Sequence, residues 1–95
     1  MTYQQFLLSI QKENPPEVSK YLLSLWYDKQ GNWNKAHNIA QDIPDTEGSW
    51  IHGYLHREEG DTWNANYWYS RAGRKMPDVS LTEEWESLVQ YFLDN

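Results

Sequence analysis

His52 and His56 stand four residues apart in the run HGYLHREEGDTWNANYWYSRAGR, positions 52–74. On a helix that spacing puts two imidazoles on one face, where they can share a metal ion. No Glu follows His52 directly, so the pair lacks the general base of the helical zinc-protease motif. A third ligand has to come from elsewhere, and His37, Glu58, Glu59 and Asp61 are the candidates. The plainer alternative is a histidine pair hydrogen-bonded inside or at the edge of a helical core. The internal repeat set out below turns both rings toward the packed side, near Tyr27 and Tyr69, and favours that alternative. No cofactor is therefore assigned, and a metal at His52 and His56 stands as the second reading.

Arg57, Arg71 and Arg74 could gather an anion with the free amides of a helix start. Against this, Arg57 has Asp61 one turn away as an ion-pair partner, and Arg71 and Arg74 suit a solvated outer face. Tyr67 falls off the apolar stripe that carries Trp68 and Tyr69, so it is free for a neighbouring helix or a ligand. His52, His56, Tyr67, Arg71 and Arg74 thus make up a candidate polar site. No nucleophile constellation is legible: there is no Cys, no G-x-S-x-G, no phosphate-binding glycine loop and no dinucleotide fingerprint.

The totals bound the rest. Ninety-five residues make one domain, spanning 1–95. Six Trp, seven Tyr and two Phe can fill a small core, since each ring buries roughly 150–250 Å². A net charge of −6 with eight scattered Lys and Arg argues against nucleic acid and against an anionic membrane. Residues 76–95 hold five acids and no base, which suits a basic or neutral partner surface. With no Cys, disulfides and thiolate metal sites are out. The opening MTYQQFLLSIQKEN has no basic leader and no stretch reaches 18 apolar residues, so the expected setting is the cytoplasm.

Apolar spacing is helical almost throughout. Tyr3, Phe6, Leu7 and Ile10 form a first stripe. Asn14 can cap a second helix with Pro15 in its first turn, burying Val18, Leu22, Leu25 and Trp26 and ending at Gly31. Asn32 can cap a third, with Ala36, Ile39, Ala40 and Ile43. IPDTEGS reads as a loop, and a fourth helix carries Trp50, Ile51, Tyr54 and Leu55 to Gly60. Asp61 can cap a fifth, with Ala65, Trp68, Tyr69 and Ala72. Ser80 and Glu83 make a capping box for a last helix with Leu81, Trp85, Leu88, Val89 and Phe92. The short links after the second and fourth helices require antiparallel hairpins.

The two hairpins repeat one plan 29 residues apart: LWYDKQGNWNKAHNIAQ, then YLHREEGDTWNANYWYS. Residues 49–77 resemble a tetratricopeptide repeat, with Gly53, Ala65, Ala72 and Pro77 at steps of twelve, seven and five. Tyr69 stands where that family has a large aromatic. The first copy keeps Ala36 but has Ser24, Ile43 and no terminal Pro in the matching places. The stretch is also similar to small uncharacterised bacterial proteins, a likeness that implies no function. The resemblance implies an all-α fold of about six helices: two tetratricopeptide-like hairpins between N- and C-terminal capping helices. It further implies a non-enzymatic protein- or peptide-binding module. Its concave face would come from Val18, Tyr21, Leu25 and Asp28, then Trp50, Tyr54 and Arg57, with Gly53 and Ala65 opposed where helices cross. The rivals are a small metal- or ligand-binding enzyme centred on His52 and His56, and a homodimer formed through Trp85 and Phe92.

Overall fold

A computed structural model describes residues 1–95, which form six helices and no strand. The helices are α1 Tyr3–Ser9, α2 Lys20–Lys29, α3 Trp33–Gln41, α4 Thr46–Glu58, α5 Thr62–Arg71 and α6 Leu81–Asp94. α2 packs on α3 and α4 on α5, and the second hairpin stacks on the first through α3 and α4. α6 lies across α2 and α4, and α1 packs against α6. No helix is long and apolar enough to cross a membrane.

The two hairpin turns are built alike. α2 ends as the Gly31 amide bonds the Asp28 carbonyl and the Asn32 amide bonds that of Tyr27. α4 ends as Gly60 bonds Arg57 and Asp61 bonds His56. Both glycines sit at positive φ, +88° and +87°, a conformation that side chains with a Cβ rarely adopt. The next residue then starts the following helix. The Asn32 side chain accepts from the Lys35 amide and Asp61 from that of Asn64. One Gly-Asn or Gly-Asp pair thus closes one helix and caps the next, so each connection is short.

Two helix starts differ from the sequence reading. α2 begins at Lys20, with Ser19 rather than Asn14 as its cap. Pro16 biases Pro15 toward extended backbone, and neither proline has an N–H to donate, so Val18 stays outside the helix, half-buried. α4 begins at Thr46, inside the segment expected to be a loop. Asp45 accepts from the Gly48 amide at 2.8 Å, and Glu47 lies in the first turn, where the helix dipole favours an acid.

The core holds sixteen buried apolar residues, among them Phe6, Leu25, Trp26, Ile51, Leu55, Tyr69 and Trp85. α4 is its axis: Gly48 through His56 are all buried, because α2, α3, α5 and α6 surround it. The close approach at Gly53 includes Tyr69. A Cβ on Gly53 would stand 3.2 Å from the Tyr69 ring and amide. Ser24, the counterpart of Gly53 in α2, fits because its hydroxyl donates to the Ala36 carbonyl at 2.7 Å. Trp85 and Phe92 face inward, 1% and 6% exposed, so the face assigned to a homodimer is used up inside the chain.

Candidate functional site

The stripe that the resemblance assigns to a binding face is covered. α6 lies on it, and most of the residues assigned to partner binding touch that helix. Tyr21 stacks on Phe92 at 4.5 Å between centroids, and Trp50 meets Tyr91 and Phe92 edge-on or tilted. The Trp85 indole donates to the Leu25 carbonyl at 3.1 Å. Arg57 does not pair with Asp61. Its guanidinium reaches Glu84 at 2.7 Å and the Val79 carbonyl, anchoring the start of α6. Glu84 is 3% exposed and also accepts from the Tyr69 hydroxyl at 2.6–2.7 Å. Burial, then that bond, raises the Tyr69 phenol above its ordinary range. Tyr54 is likewise raised, chiefly by burial.

Asp28 is buried at the end of the same stripe, beside Glu58. Burial first, then the bond to Asp28, pushes the Glu58 carboxyl up to about 9. Asp28 is raised as well, chiefly by burial. Two neighbouring carboxyls, one buried and one half-buried, favour holding one proton over carrying two charges. Glu58 Oε1 is buried with no hydrogen-bond partner.

The three arginines do not converge. Arg74 lies over the Trp50 ring at 3.5 Å, and Arg71 lies over Trp68 at 5.2 Å and Tyr67 at 5.9 Å. Tyr67 is 44% exposed and stacks on Trp63. An anion site built from Arg57, Arg71 and Arg74 has no geometric basis.

The histidines do converge. His52 and His56 lie one turn apart on α4, and α3 brings His37 against them. The ring centroids are 4.6, 5.1 and 4.9 Å apart for the pairs 37–52, 37–56 and 52–56. One ring nitrogen of each lies within 4.8 Å of those of the other two. His37 Nε2 and His52 Nε2 are 2.9 Å apart, and His56 Nδ1 is 2.7 Å from Glu59 Oε2. Two indoles wall the cluster. Trp33 stacks on His37 at 4.8 Å and is fixed by its bond to the Leu55 carbonyl, and Trp68 stacks on His52 at 3.9 Å. Burial, then the neighbouring His37 and His56, lowers His52 to about 3, and burial also lowers His37. Both rings are therefore neutral at pH 7, with lone pairs to offer.

The sequence supplied His52 and His56 as a pair and His37 as one of four candidate third members; only packing selects among them. Asp61 and Glu59 also come within reach of His56, but the Asp61 carboxylate accepts from the Asn64 amide and side chain, which lowers its pKa. Trp33 and Trp68 as the site's walls were missed, since aromatic spacing alone reads as core. No protein-family model, curated protein or solved structure matches the chain.

Proposed function

We propose that the protein is a non-enzymatic protein-binding module whose α2–α4 groove recognises an acidic amphipathic helix. Its own α6 is the resident occupant. The observation that carries this reading is the way α6 sits. Trp85 and Phe92 fill the groove while Glu84 meets Arg57, which is how a helix is read by apolar anchors and one charge. The rim adds Lys29, over Trp85 at 4.7 Å, and Arg74, over Trp50. A chain of net charge −6 thus presents basic groups where its acidic C-terminal helix lies. An open cleft of about 300 Å³ between Trp50, Arg74, Val79, Glu84 and Ser87 leaves one end of the groove accessible. An external helix competes with α6. If α6 is docked about 99% of the time, the apparent affinity is about a hundredfold weaker than the intrinsic one.

The test is fluorescence polarisation with a labelled peptide of residues 79–95. Phe92→Ala weakens the resident helix and leaves the groove residues in place. This variant should bind the peptide at least about tenfold more tightly than the unaltered chain. Failure of both chains to bind, with both folded by circular dichroism, would remove the reading.

A further inference from the structure

We propose that His37, His52 and His56 form a binding site for one divalent transition-metal ion of the zinc type. This goes beyond the groove and is independent of it, since the cluster lies between α3 and α4, away from α6. Three imidazoles with a free fourth position are a known donor set for zinc, and the set excludes calcium and magnesium, which take oxygen ligands.

The geometry fits with small adjustment. An ion about 2.0–2.1 Å from each nitrogen needs those nitrogens about 2.9 Å apart at a right angle and about 3.3 Å apart in a tetrahedron. His37 Nε2 and His52 Nε2 are 2.9 Å apart, and one ring nitrogen of each of the three histidines lies within 4.8 Å of those of the other two. Closing on an ion therefore needs His56 to swing inward, and His37, on its own helix and half-buried, is the other ring able to turn. Glu59 holds Nδ1 of His56, which leaves Nε2 as that ring's donor. A carboxylate on the far nitrogen fixes the tautomer and orientation of a metal-bound imidazole and raises its basicity.

One further fact sets this cluster apart. No protein hydrogen bond reaches His56 Nε2, the nitrogen that ring would give to an ion. The flanking indoles of Trp33 and Trp68 lie flat on His37 and His52, 16° from parallel in both cases, and restrict the turning of those rings.

The experiment uses untagged full-length protein, stripped with chelator, and zinc chloride as the probe. Isothermal titration at pH 7.5 should give one ion per chain, and one equivalent should raise the thermal midpoint. Cobalt(II) in the same protein should give the intense visible bands of a four-coordinate ion. His56→Ala should abolish binding, and Glu59→Gln should weaken it about 10–100-fold while leaving the fold intact. Magnesium should give no heat. If His56→Ala fails to fold by circular dichroism, His37→Gln, on the half-buried ring, replaces it. Absence of zinc heat and of any midpoint shift would overturn the proposal. So would zinc binding of equal strength in His37→Gln.

Discussion

Among the glycines, Gly48 has the least room for a side chain. A Cβ there would stand 2.5 Å from the Ile43 carbonyl oxygen and 2.7–2.8 Å from its side chain. That oxygen belongs to the backbone entering α4 and cannot turn away. Gly48→Ala gains just under about 1 kcal/mol of helix propensity but forces an overpacked contact costing about 1–3 kcal/mol. Net destabilisation of up to about 2 kcal/mol should appear as a lower urea midpoint with an unchanged slope. An unchanged or higher midpoint would show that the α3–α4 link can shift. Ala65 has a different constraint. It is fully buried, so Ala65→Leu should also cost about 1–3 kcal/mol. The sequence placed Ala65 on a packed helix face but read Gly48 as part of a loop, and it did not show that Tyr69 packs against Gly53. That depends on the rotation of α5, which sets the Tyr69 ring and amide against Gly53.

At the scale of elements, α6 is held at its start by charge and along its length by rings. Arg57 lies in α4, so it couples the start of α6 to the central helix. Reading Arg57 as a free groove residue implied a nearly silent alanine substitution. With Glu84 3% exposed and paired to it, the expectation reverses. Arg57→Ala leaves a buried carboxylate with only the Tyr69 hydroxyl, and should destabilise by about 3 kcal/mol. The double variant Arg57→Ala, Glu84→Gln should recover part of that loss, because no unpaired charge remains. A double variant no more stable than Arg57→Ala would mean that the pair is not what couples α6 to α4.

Over the whole molecule, buried titrating groups set a pH profile. His52 is neutral when folded but protonates near its ordinary 6.5 when unfolded, so from pH 3 to 6.5 the unfolded chain holds more protons and stability rises with pH. Glu58 runs the other way. Its carboxyl keeps a proton to about 9 when folded but loses it near 4.5 when unfolded, so stability falls as pH rises between those values. The two nearly cancel between 4.5 and 6.5, and above 6.5 only the Glu58 effect remains. The thermal midpoint should be flat across that window and decline toward pH 9. Glu58→Gln should remove the decline. A midpoint rising from pH 7 to 9 would show that Asp28 and Glu58 do not share a proton.

Much of this molecule is local and therefore written in the chain. Gly31 and Gly60 end helices, Asn32, Asp61 and Ser80 start them, and stripes of three-and-four spacing mark the faces that bury. Capping and amphipathic period act within a turn or two, so they can be read without a fold. The start of α4 was missed because its first turn, Thr46 to Ser49, carries no apolar residue; the Asp45 cap and Glu47 were the only signals. Tertiary structure decided what fills each face. An apolar stripe specifies that something must cover it, not what does, and here the chain's own α6 covers the stripe that Trp50, Tyr54 and Arg57 present. The histidines follow the same rule. Spacing joined His52 to His56, but His37 lies 15 residues before His52, and only the stacking of α3 on α4 brings its ring to them.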